Sequence, residues 1–266
     1  MKNIYLFLFC IFSLQSFCQL PDTAKYQLKY QFPEGSNTVY KFSNIPMDFD
    51  SVMQGLKSYG EKWDWALKTG YERYVNNNYF IVSKEENIYK IYSTIATDSL
   101  SFSEALNIYT FYIDECGKNY SLYLSNEIDK ICGFIFRLPN TKVAIGDTWK
   151  SDIDDISLGG YISKDSFLLQ DEIKLSKVEK INSDILATIV YTYNIYFAGR
   201  ANGDETEITM SYHGEGLFSI TQGIWIHNIG IYNVSMTGLP GAKMLYSLEI
   251  TDKVPTNLYE GKEWDK

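Results

Sequence analysis

The chain has 266 residues, 45% of them hydrophobic and 16% aromatic, with 33 acidic against 24 basic side chains and a formal net charge of −9. That acidity disfavours nucleic acid and anionic membrane surfaces as partners, since both are bound by lysine and arginine neutralising phosphate. The length suffices for one large or two small domains with a substantial core.

Met1-Lys2-Asn3 carries one positive charge, an apolar run over 4–14 follows, and Ser16-Phe17-Cys18 precedes Gln19. Basic start, apolar core and small-residue cleavage site make residues 1–18 a signal peptide, with Gln19 as the mature N-terminus. The run is shorter than the ~20 apolar residues that cross a bilayer. No later stretch is long and apolar enough either, so no transmembrane segment is expected in the mature chain. The expected destination is export: periplasm, outer-membrane-associated or extracellular. Lipidation of Cys18 is the rival reading, although Phe17 stands where lipoprotein signals resemble one another in having a small residue. Cleavage removes one lysine and no acid, taking the formal charge from −9 to −10. It also leaves two cysteines, Cys116 and Cys132. An even pair in an oxidising compartment suggests a disulfide. It would close a loop of ~15 residues, worth roughly 3 kcal/mol in the chain-entropy model; two buried free thiols are the alternative.

Over 26–32, Tyr26, Leu28, Tyr30 and Phe32 alternate with polar residues, 33–37 is a turn cluster, and 39–42 resumes the alternation. This pattern predicts a β-hairpin with one buried face. Phe49, Val52, Met53, Leu56 and Tyr59 then recur at helical spacing, with Asp48 and Asp50 at the positive dipole end and Gly60 beyond, so a helix is predicted over 47–59. Residues 63–70 fit a strand or a helix equally. Strands over 79–83 and 88–95 flank a polar turn at 84–87, and strands over 106–113 and 120–124 flank another at 115–118. The apolar run 131–138 stops at Pro139, which lacks an N–H. Val143 and Ile145 alternate around Ala144 as a short strand, Gly146-Asp147 supplies a tight turn, and Trp149 anchors it to a core.

An acidic loop over 151–160 follows. Runs over 167–178, 185–197, 205–212, 217–221, 224–237 and 242–251 are then separated by turn clusters at 182–184, 199–204, 213–216, 222–223 and 238–241. Turns at short intervals with little helix between them predict an antiparallel meander. Residues 186–197 are nearly all β-branched or aromatic, which predicts a central strand covered on both faces. Gly230 marks a bulge or bend. The expected class is mainly β (β-rich α+β): antiparallel meander sheets, a curved half-barrel or sandwich, minor helix. An N-terminal β-rich half with one helix spans 19–138, a C-terminal antiparallel half 139–255, and a polar tail 256–266.

Pro139, Val143, Gly146, Asp147 and Trp149 form the pattern Pro…Val-x-x-Gly-Asp-x-Trp. It resembles the signature of a large group of uncharacterised exported proteins from Bacteroidetes. Gly35 in the opening turn, the stretch 113–118 and the series Gly214-Glu215-Gly216…Gly223 are similar to that group as well. The resemblance implies a β-rich exported protein and carries over no catalytic residue.

Chemistry-bearing constellations are sparse. The only histidines, His213 and His227, lie in or beside predicted strands, and no nucleophile elbow is present. No zinc signature, phosphate-cradling loop or dinucleotide glycine pattern occurs, so no catalytic residue, cofactor or metal ligand is assigned. Asp147, Asp152, Asp154 and Asp155 cluster near a turn and could bind calcium, but their spacing fits no helix-loop-helix site and a solvated loop is the default. Aromatic residues are the remaining signal: 22 Tyr, 15 Phe and 5 Trp. Most suit core and cross-strand pairs. Trp63, Trp65 and Tyr71 are candidate ligand-facing aromatics. The expected protein is a non-catalytic envelope component, binding an apolar or glycan ligand between curved sheets. The alternatives are a hydrolase acting on envelope polysaccharide, with two facing carboxylates, or a scaffolding module using strand-edge pairing.

Overall fold

A computed structural model describes residues 18–19, 23–46, 77–96, 109–120, 136–151, 162–201 and 204–251. Their strands are β1 (Cys18–Gln19), β2 (Thr38–Pro46), β3 (Asn77–Glu85), β4 (Ile88–Ala96), β5 (Tyr109–Ile113), β6 (Thr148–Trp149), β7 (Ile162–Ile181), β8 (Asp184–Ala201), β9 (Asp204–Ser219), β10 (Ile224–Met236) and β11 (Leu239–Ile250). All eleven belong to one antiparallel sheet of order β1-β7-β8-β9-β10-β11-β2-β3-β4-β5, with β6 also on β7. The ends of that path do not pair, so the sheet is open, and no helix occurs among the described residues. β2 bonds to β11, so strands from both sides of Pro139 share the sheet. The predicted helix 47–59 and the ambiguous segment 63–70 lie outside the described residues.

Alternation decides which face each side chain takes. On β9, Ile208, Met210, Tyr212, Gly214, Gly216 and Phe218 are buried, while Thr209, His213 and Glu215 are exposed. The buried face continues through Tyr191, Tyr193 and Phe197 on β8, Tyr246 and Leu248 on β11, and Tyr40 and Phe42 on β2. Each large apolar side chain taken out of water contributes about 1.5–3 kcal/mol before entropy is counted. Call this packed side the inner face.

Several expectations are corrected. Residues 26–32 do bury Leu28, Tyr30 and Phe32, but they do not form a hairpin with 39–42. Both edges of β2 are taken, by β3 and β11. Residues 26–32 instead cross the inner face as a strap: Tyr30 N donates to Glu115 O at 2.8 Å, Gln31 N to Gly223 O at 3.0 Å, and Tyr26 bridges to Val143. The Tyr30 ring stacks on Phe32 at 5.3 Å and meets Phe218 edge-on at 5.8 Å. Val143 makes only that single bridge, so no strand forms over 143–145. The turn after β3 is shorter than expected, since Glu85 pairs with Ile88 across Glu86-Asn87.

The cluster 213–216 is not a turn. β9 runs through it unbroken because its glycines admit neighbouring rings. A Cβ on Gly214 would lie 2.0 Å from Tyr246 Oη, and one on Gly216 would lie 2.5 Å from the Trp225 ring. Gly230 does not sit at a bulge either. It pairs with Gly214, and its own Cβ would lie 2.1 Å from Tyr246 Oη. The β10 irregularities fall at Trp225/His227 and Val234/Met236. β8 is central but covered on one face only: residues 187, 189, 191, 193, 195 and 197 are buried, while 186, 188, 190, 192 and 196 are half-buried and Asn194 is exposed.

Candidate functional site

The outward face of β7–β11 carries a row of polar side chains in register. Gln170 pairs with Asn194, Asn194 with Ser211, Ser211 with Asn233, and Asn233 with Lys243. Neighbouring strands lie about 4.8 Å apart, so this row spans roughly 19 Å across the strands. The next rung is Leu168, Tyr196, Thr209 and Ser235, again in register. Together they line a groove of about 680 Å³ that also touches Val234, Gly241 and Ala242. β10 shifts register against β11 between Val234 and Met236. A bulge there bends the strand and raises its twist, which shapes that side of the groove.

The polar heads fall into two sets. Asn233 Nδ2 donates to Ser211 Oγ at 3.0 Å, the Thr209 and Ser235 hydroxyls share a bond at 2.5 Å, and Tyr196 OH donates to Glu207 Oε1 at 3.2 Å. That last bond tethers the Tyr196 ring at the rim. It also raises the phenol's pKa, because the bond to Glu207 is lost on ionisation. The amides of Gln170 and Asn194 and the ammonium of Lys243 have no partner among the described residues. Leu168, at 52% exposure, adds an uncovered apolar surface beside them.

The opposite face of the same strands is a different environment. Tyr212 stacks on Tyr246 at 4.6 Å and on Tyr191 at 5.5 Å, over the Gly214–Gly230 pair. Burial pushes the pKa of all three phenols well above the usual tyrosine range. Their hydroxyls and the buried Asn228 amide are close enough to influence one another's ionisation, but none makes a hydrogen bond of ordinary geometry. Beyond them, Trp225 Nε1 donates to Tyr30 OH at 2.8 Å, and Tyr30 OH donates to Phe136 O at 2.9 Å. These contacts lock the strap to the sheet.

The signature residues fasten the segment 139–149 to β7. Gly146, at φ +94, donates its N–H to Leu175 O at 2.8 Å, and Leu175 N donates to Asp147 O at 3.1 Å. Asp147 Oδ2 accepts from Ala144 N at 2.8 Å. Pro139 and Val143 are buried, and Trp149 packs half-buried against the core from β6. This is a structural clip. Asp147 is occupied in it, while Asp152, Asp154 and Asp155 lie outside the described residues. No group of three or more metal-ligating side chains occurs among the described residues.

His213 is exposed on β9 with Nδ1 3.0 Å from Thr192 Oγ1, and His227 is exposed on β10 opposite Leu217 and Glu249. His213 pairs with Ile231, four residues along β10 from His227, so the two are not brought together. Cys116 is a buried free thiol whose pKa is raised by burial first and by Asp114 and Glu115 next. Cys132, its expected disulfide partner, lies outside the described residues, as do Trp63, Trp65 and Tyr71.

No family profile, curated protein or solved structure matches this chain. The groove residues were not singled out by sequence, although one signal was present. Asn194 interrupts the aromatic and β-branched run of β8 at an outward position. A fully polar amide there has no role in packing.

Proposed function

We propose that this chain is an exported, non-catalytic ligand-binding protein of the cell envelope, and that its binding surface is the outward groove over β7–β11. The N-terminal pattern of basic start, apolar run and small-residue site supports export. The observation that carries the binding reading is the pair of amides, Gln170 and Asn194, without a partner among the described residues, beside the exposed Leu168 in a groove of about 680 Å³. That volume falls in the ligand-site range, and a few placed polar groups on an apolar floor give orientation and specificity. Lys243 and the Tyr196 phenol are the ionisable groups among the described residues of the lining. No carboxylate or imidazole, the commonest proton-transfer groups, lines the groove among the described residues, which supports binding over hydrolysis.

The site therefore lies on one face of an open sheet rather than between two sheets. Native mass spectrometry of protein purified from its own host tests the reading. A bound species of constant mass is expected, and it should be lost in Ser211→Trp, which fills the groove. An intact protein starting at Gln19 with no bound species in either form would overturn it.

Strand-edge pairing is a second reading with its own observation. β7 runs for 20 residues, yet among the described residues backbone covers its outer edge only at Ile173–Leu175 and Glu179–Lys180. Gel filtration would show a dimer that dissociates when a proline replaces Leu169.

A further inference from the structure

The spacing and charge of the groove narrow the class of ligand. Its polar row runs across the strands, so successive hydrogen-bonding heads recur about every 4.8 Å. An extended peptide advances only about 3.3 Å per residue and would fall out of step within two rungs. One hexopyranose residue of an extended polysaccharide advances by close to the strand spacing, so each rung can meet the hydroxyls of one sugar. Side-chain amides suit such a ligand because each offers two donors and an acceptor, matching vicinal hydroxyls that both give and take hydrogen bonds. The tethered Tyr196 ring supplies an apolar face for the C–H side of a pyranose.

Charge excludes polyanions. Lys243, at the end of the row, is the only cation in the lining among the described residues, and the chain as a whole carries −9.

We infer that the groove binds a neutral hexose oligosaccharide laid across β7–β11, its hydroxyls on Gln170, Asn194, Ser211 and Asn233 and one pyranose face on Tyr196. This rests on the outward groove being the binding surface. Isothermal titration of the full chain with cellohexaose, maltohexaose and laminarihexaose tests it, with oleate and a Ser/Ala-rich hexapeptide as competing chemistries. At least one hexasaccharide should bind. Asn194→Ala/Asn233→Ala and Tyr196→Ala should each weaken it at least tenfold, while Tyr196→Phe, which keeps the ring, should stay within threefold. Circular dichroism confirms that each variant is folded.

Oleate or peptide binding that disappears in Ser211→Trp, with no hexasaccharide bound, overturns the sugar assignment and keeps the groove. Hexasaccharide binding equal in wild type and all variants overturns the groove itself. Silence from every probe overturns the sugar assignment, and the native-mass experiment then decides the groove.

Discussion

The two faces of β7–β11 are built from the same strands and follow opposite rules. Inward, Tyr191, Tyr212 and Tyr246 stack within 4.6–5.5 Å, and glycines at 214, 216 and 230 give up side chains so that rings can press against backbone. Outward, Asn194 and Gln170 hold donors and acceptors that nothing in the described protein uses. A face that spends glycine on close packing is specified by the fold. A face that leaves amides unpaired at exposed positions is free to be specified by a ligand. On the proposed reading, stability and recognition are separable residue by residue, alternating along each strand.

The sharpest way to break the comparison is Trp225→Ala. It removes the fully buried ring that packs on Phe218 at 5.3 Å and the donor that fixes Tyr30. A loss of about 3–5 kcal/mol in urea unfolding is expected, as for other buried large-to-small changes. Gly230→Ala comes next. The added methyl would lie 2.1 Å from Tyr246 Oη and 2.5 Å from the backbone oxygen of His213, and only the first can move. Overpacking of this kind costs about 1–3 kcal/mol, and the urea midpoint should fall accordingly.

Alkaline titration sharpens the contrast without mutation. The inner phenols keep their protons in the fold because burial raises their pKa. Their unfolded pKa is about 10. Their contribution is therefore fully present below pH ~10 and is lost as pH rises above it, because only the unfolded chain releases those protons readily. Phenolate absorbance should show an early phase from solvent-exposed rings, followed by a cooperative phase coincident with unfolding. The smallest stability effect belongs to the outward face: Asn194→Ala should change urea stability by no more than about 0.5 kcal/mol, while weakening the proposed hexasaccharide binding.

Much of this architecture was legible in the sequence because period-two alternation marks faces. The burial of Leu28, Tyr30 and Phe32 could be read directly, as could the β3–β4 hairpin and most of the meander. Alternation names the face but not the neighbour, so the strap over 26–32 was expected beside 39–42 instead of across the core. Glycine carries two meanings that one sequence cannot separate. Gly214 and Gly216 give the same signal as a turn and as a place where Tyr246 and Trp225 press in. The groove was least legible of all, since its row joins Gln170 to Lys243 through four pairings. Those registers depend on where the intervening turns fall and on the shifts in β7 and β10.

One spectrum tests the division between faces most directly: backbone amide and side-chain NMR shifts during titration with the tightest-binding hexasaccharide. Shifts confined to the outward positions Gln170, Asn194, Ser211 and Asn233, with Tyr191, Tyr212 and Asn228 unmoved, are the predicted result. Shifts centred on Tyr191, Tyr212 and Asn228, with the outward row silent, would contradict it and place recognition inside the aromatic core.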